Sequence, residues 1–128
     1  MIFIDTSFLF AGIEPEDAHH EAAVRIRSAL GEARLITTNH VRGETWTLAR
    51  SKRGHRGALE LLDLLDSTER IDVVHVEASL EQDAMRWLRR HDERAYSFVD
   101  ATSFALMREM GINEALAFDG DFAAAGFV

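Results

Sequence analysis

The chain has 128 residues, 14 Lys and Arg against 22 Asp and Glu, a formal charge of −8 and 47% apolar residues. That suits one globular domain over residues 1–128, able to bury roughly two-thirds of the surface its unfolded form exposes. The absence of cysteine excludes disulfide scaffolds, zinc ribbons and thiol nucleophiles; with no apolar run of roughly 20 residues and no basic region at residues 1–5, a cytoplasmic protein without membrane association is expected.

Residues 2–4 are an apolar run ended by Asp5, the pattern of a buried strand. Pro15 suits a first helical turn, so a helix is expected over about 15–30, with Ala18, Ala22, Ile26 and Leu30 on one face. Residues 35–37 read as a second strand, followed by a helix over about 40–50 with Thr38 or Asn39 as its N-cap. Gly54 separates it from another helix, about 55–65, carrying Ala58, Leu61, Leu62 and Leu65. Val73, Val74 and Val76 mark a third strand. Ser79 caps a helix with Leu80, Ala84, Trp87 and Leu88 on one stripe, and Ser79 with Gln82 fits a capping box. Ser97 caps the next helix, about 98–110, which Gly111 ends, and residues 115–118 form a last strand before Asp119-Gly120-Asp121. Strands alternating with helices predict an α/β fold with a parallel sheet and helices on both faces.

Acids fall where such a fold binds ligands. Asp5 closes the first strand and Asp119 the last, and in open parallel sheets ligands bind outside the carboxyl ends of the strands. Asp100 sits in a first helical turn among apolar residues, and Glu44 lies in the helix after the second strand. Singly, each is commonplace as a dipole partner, a turn residue or a solvated side chain. Together they would repel one another unless a cation or a shared proton intervened, and Mg²⁺ or Mn²⁺ is the natural counter-charge for oxygen ligands. His19 and His20 read as surface residues.

Thirteen of the 14 basic residues are Arg, and they cluster. Arg50, Lys52, Arg53 and Arg56 form one group with no acid between Glu44 and Glu60, the first candidates for gripping a phosphate-bearing ligand. Arg86, Arg89, Arg90 and Arg94, interleaved with Trp87, His91 and Tyr96, form a second. Arg and aromatic side chains can clamp phosphates and stack on unpaired bases.

The stretches Met1-Ile2-Phe3-Ile4-Asp5-Thr6-Ser7, Thr38-Asn39-His40-Val41-Arg42-Gly43-Glu44-Thr45, Ser97-Phe98-Val99-Asp100-Ala101 and Ala117-Phe118-Asp119-Gly120-Asp121-Phe122 resemble the PIN-domain nucleases. Within them the chain resembles the VapC toxins of VapBC toxin–antitoxin pairs, and the resemblance spans essentially the whole chain. The resemblance implies a three-layer α/β/α fold on a short parallel sheet of four or five strands. It implies metal-dependent hydrolysis of phosphodiester bonds in RNA, with Asp5, Glu44, Asp100 and Asp119 as the acidic quartet around Mg²⁺ or Mn²⁺. Asp5, Asp100 and Asp119 would ligate the metal; Thr6 or Ser7 would be the supporting hydroxyl, and Asp121 an extra acid. It also implies inhibition by a VapB-type antitoxin, a homodimer, and a structured target. The stretches around Glu44 and Asp100 look closest to the group that cuts the sarcin–ricin loop of ribosomal RNA, ahead of transfer RNA.

Partner contacts are expected on the helices after the first two strands, around Ala22, Ile26, Trp46 and Leu61. One departure from the family is at Gly126-Phe127-Val128, where relatives usually continue with a final strand, so the resemblance does not define the sheet edge there. A haloacid-dehalogenase phosphatase would need an Asp where Ser7 stands, and a receiver domain a late lysine, whereas Lys52 is the only one. The remaining alternatives are a housekeeping PIN nuclease and a silent PIN-like protein-binding module.

Overall fold

The computed structural model describes residues 1–128. Strands β1 (Ile2–Ile4), β2 (Leu35–Thr38), β3 (Ile71–Val74) and β4 (Ala115–Leu116) form one sheet in the order β3-β2-β1-β4. Every pairing is parallel, with Phe3 opposite Ile36 on one side and Ala115 on the other. Parallel neighbours need long crossovers, supplied here by helices α1 (Thr6–Ile13), α2 (His20–Ala29), α3 (Asn39–Ser67), α4 (Ala78–Arg90) and α5 (Phe98–Met110). A short helix α6 (Asp121–Ala124) follows β4.

The two-residue period of the strands sorts side chains between the layers. Phe3 and Ile36 point into a cluster with Leu80 and Ala84 of α4, Phe104 and Met107 of α5, and Phe122 of α6. Ile4 and Leu35 point the other way, onto Phe8 and Ala11 of α1 and Ala23 of α2. A third cluster of Phe10, Ala49, Ala58, Leu61 and Leu65 seals α1 against α3. This is the expected three-layer α/β/α arrangement with a four-stranded parallel sheet.

Five boundaries differ from expectation, each for a physical reason. Residues 6–13 are helical: Asp5 caps α1, and Phe8, Phe10 and Ala11 are buried in two different clusters, so no single apolar stripe betrays the helix. Pro15 does not start a helix. Glu14 before it is extended (φ −98°, ψ 104°), as a residue preceding proline prefers, and α2 begins only at His20. β3 lies at 71–74 because its ladder runs from Leu35↔Ile71 to Thr38↔Val74, after which Val76 N–H donates to Asn39 Oδ1 at 2.8 Å. The cap of α4 is Glu77, with no side-chain cap bond, so the Ser79–Gln82 box does not form. β4 stops at Leu116, since Phe118 N–H donates to the Ser7 hydroxyl at 3.0 Å rather than to a ladder.

Two glycines act as expected. Gly54 (φ 78°, ψ −178°) breaks α3 into two helical halves, and Gly111 (φ 68°) closes α5 in the left-handed conformation that a side chain resists. On the outer side of β4, Val128 N–H donates to Asn113 O and Ala115 N–H donates to Val128 O, at 2.8 and 3.0 Å.

Candidate active site

The carboxyl ends of β1 and β4 and the amino end of α5 meet at one crevice. Asp5 leaves β1 as the N-cap of α1, its Oδ2 accepting from Ser7 N–H at 3.3 Å and from the Ser7 hydroxyl at 2.8 Å. The same hydroxyl accepts from Phe118 N–H, so one serine fixes the Asp5 rotamer and the backbone just before Asp119. Asp5 is 2% exposed, and its second oxygen, Oδ1, is buried without a hydrogen-bond partner. Asp100 is the N3 residue of α5, 6% exposed, in a capping box: its Oδ2 accepts from Ser97 N–H at 3.1 Å while Asp100 N–H donates to Ser97 Oγ at 2.9 Å. Asp119 is exposed, in the turn after β4, where its Oδ1 accepts from Asp121 N–H at 3.1 Å.

Asp5, Asp100 and Asp119 bring carboxylate oxygens within 4.8 Å of one another. Removal from water, with Asp119 nearby, pushes the Asp5 carboxyl up to about 7 against the pull of the Ser7 hydroxyl. Burial likewise raises Asp100 to about 6, the Ser97 N–H opposing it and Asp119 and Asp121 adding to it. Three converging carboxylates, one with an unpartnered buried oxygen, make an all-oxygen donor set that fits a hard divalent cation.

The other candidates divide. Glu44, half-buried on α3, is not one of the three converging acids. Asp121 is tied to Arg94, whose Nε donates to its Oδ1 at 2.9 Å. Of the two hydroxyls, Ser7 is the one that touches an acid; Thr6 is bonded to Val41 O and the Thr45 hydroxyl, linking α1 to α3. The Arg94–Asp121 pair was not foreseen, because 27 residues separate the two and only the packed turn brings them together.

In the first basic group Arg50, Lys52 and Arg56 are exposed and in no ion pair. Arg53 differs: it is half-buried, donates to Ile13 O at 3.0 Å, and lies 3.6 Å from Glu14 and 3.7 Å from Glu60. In the second group Arg86 pairs with Asp83 and Arg94 with Asp121, leaving Arg89 and Arg90 exposed. Trp87 is enclosed by His91, Tyr96 and Phe104 at 4.1, 4.8 and 5.3 Å, with the Arg108 guanidinium 5.7 Å from its centre.

Two surface expectations need correction. His20 is half-buried with Nδ1 2.7 Å from Ala11 O, and His19, though exposed, stacks on Phe118 at 4.4 Å. Leu61 is core, 3% exposed, because the second half of α3 folds onto Phe10, whereas Ala22, Ile26 and Trp46 are half-buried.

Residues 2–128 match the PIN domain family. The chain is 54% identical over 128 residues to the 23S rRNA-specific endonuclease VapC20 of Mycobacterium tuberculosis, covering all of this chain and 96% of that protein. It is 26% identical over 124 residues to a VapC ribonuclease of Archaeoglobus fulgidus, covering 94% and 78% of the two chains. The crystal structure of M. tuberculosis VapC20, described as a sarcin–ricin loop cleaving toxin, superposes with a TM-score of 0.94 at 51% identity, over 100% of this chain and 97% of that one.

Proposed function

This chain belongs to the PIN-domain family, and from that premise we propose that it is a VapC-type toxin, an endoribonuclease hydrolysing a phosphodiester bond in the sarcin–ricin loop of 23S ribosomal RNA. The observation that carries the chemistry is the convergence of Asp5, Asp100 and Asp119 within 4.8 Å at the carboxyl edge of the sheet. The 54% identity to a 23S rRNA-specific endonuclease favours ribosomal over transfer RNA.

Asp5, Asp100 and Asp119 would hold Mg²⁺ or Mn²⁺, with Glu44 and Asp121 completing the acidic rim. Such a cation supplies water acidified toward neutral pH and offsets charge building up on the phosphoryl oxygens. The protein's own part is orientation. Ser7 holds one Asp5 oxygen so that the other is left for a ligand, and the Ser97 N–H does the same for Asp100. No histidine or serine is placed as base or nucleophile, and none is required.

RNA phosphates are repelled by this crevice, so attraction must come from outside it. Arg50, Lys52 and Arg56, exposed and unpaired, serve that role; Arg53, bonded to Ile13 and beside Glu14 and Glu60, ties the kinked middle of α3 that carries them to the end of α1. No helix is long and apolar enough to cross a membrane. We place the protein's action in the cytoplasm, restrained by a VapB-type antitoxin and organised as a homodimer. An apolar cleft of about 150 Å³, lined by Phe8, Leu9, Ile13, Leu30 and Leu64 between α1, α2 and α3, supports a protein partner, with Leu64 exposed at its lip.

Incubation of purified bacterial ribosomes with the protein tests the reading. Cleavage within the sarcin–ricin loop that requires Mg²⁺ or Mn²⁺ and stops with EDTA is expected. Intact ribosomal RNA, or cleavage indifferent to EDTA, would refute it.

A further inference from the structure

We propose that the ring of Phe98, backed by His40, is a stacking platform for an unpaired nucleobase next to the scissile phosphate, and so a specificity-determining contact. The proposal rests on the nuclease reading above. Among the Phe, Trp and Tyr side chains Phe98 alone is exposed, at 40%, and it is the first residue of α5, two before Asp100. The platform is built, not incidental. Its centre lies 5.6 Å from that of His40 with the planes tilted by 33°. His40 stands in the first turn of α3, four residues before Glu44 and so on the same helical face. His40 Nε2 is in turn 3.4 Å from Glu81 Oε1 on α4. Elements from three helices thus hold one apolar ring at the amino end of α5, the end that also carries Asp100.

The chemistry of that location selects the ligand. A cation held by the three carboxylates would engage only the reacting phosphate, so further affinity close to the cut can come from an uncharged part of the RNA, and every base offers a π-face. The other large aromatic candidate, Trp87, is already covered by His91, Tyr96, Phe104 and Arg108 and has no comparable open ring. Loops of structured RNA present the splayed, unpaired bases that an aromatic ring accepts.

The test uses an RNA hairpin of the sarcin–ricin loop with 2-aminopurine in its unpaired loop, and the variants Phe98→Ala, Phe98→Leu and Phe98→Tyr. Wild-type protein should quench the probe on binding, and Tyr should preserve the quench. Ala and Leu should lose it and raise KM by about 5- to 150-fold, the range expected for one stacked base, with the loss falling on KM more than on kcat. Thermal midpoints should change little, since the ring is exposed. Leu performing as well as Tyr, or Ala keeping wild-type quench and KM, would overturn the platform while leaving the nuclease intact. A wild-type protein that neither binds nor cleaves the hairpin would overturn the nuclease reading, and the platform with it.

Discussion

Replacing Asp5 with Asn removes a negative charge from the most enclosed of the three converging carboxylates, and the metal-free protein should become more stable as a result. The Asp5 carboxyl titrates at about 7 in the fold against an ordinary 3.8. At about 1.4 kcal/mol for each tenfold change in proton affinity, the ionised form costs the fold on the order of 4 kcal/mol at pH 8. Asn retains an acceptor for the Ser7 N–H and hydroxyl but must also house an amide, so a net gain of about 1–3 kcal/mol, or about 3–12 °C in midpoint, is expected. The sign with pH follows from the raised value. Stability from the protonated carboxyl is complete below 3.8 and lost as pH rises through about 7, so wild-type protein in EDTA should be more stable at pH 5 than at pH 8. Asp100, raised to about 6, acts in the same direction. Melting curves of both proteins in EDTA at pH 5 and pH 8 measure this. The Asn advantage should shrink by roughly 2–3 kcal/mol on acidification. Equal midpoints at pH 8, or an advantage that grows at pH 5, would refute the electrostatic account.

Saturating Mn²⁺, at about 100 times its dissociation constant, should stabilise wild-type protein by about 2.7 kcal/mol and Asp5→Asn by far less, read by the same melts. Changing Arg50, Lys52 and Arg56 together to Gln should flatten the slope of log affinity against log salt by about 2 in RNA anisotropy titrations, while the Mn²⁺ response stays unaltered. Gly111→Ala should cost about 1 kcal/mol in urea unfolding, because Gly111 sits at φ 68°, and leave RNA cleavage unchanged.

The strand–helix alternation was legible because the strands carry short apolar runs, and Asp5 and Asp119 could be placed at one sheet edge on the condition that the first and last strands are neighbours, which the β1–β4 pairing meets although β4 ends at Leu116. Asp100 was legible as a first-turn acid of the helix that Ser97 caps, and its site role through the family resemblance; the capping box it completes with Ser97 was not read from the sequence. What escaped was set by tertiary packing. Helix α1 buries Phe8 and Phe10 in different clusters, so its residues lack the periodicity that marks a surface helix. Pro15 carried a helix-start signal that the extended Glu14 overrode. The burial of Leu61 depends on Gly54 turning the second half of α3 onto Phe10, a long-range contact that no local pattern encodes. Arg53 read as one more cation in a basic run, yet its neighbours in space are Ile13, Glu14 and Glu60.

Sequencing of the 5′ ends generated in total bacterial RNA after induction of the protein, beside the same experiment with Asp100→Asn, tests the assignment most directly. The account predicts one dominant new end within the sarcin–ricin loop of 23S ribosomal RNA, absent from the Asp100→Asn sample. New ends in transfer RNA instead, no new end at all, or the same ends from Asp100→Asn would contradict it.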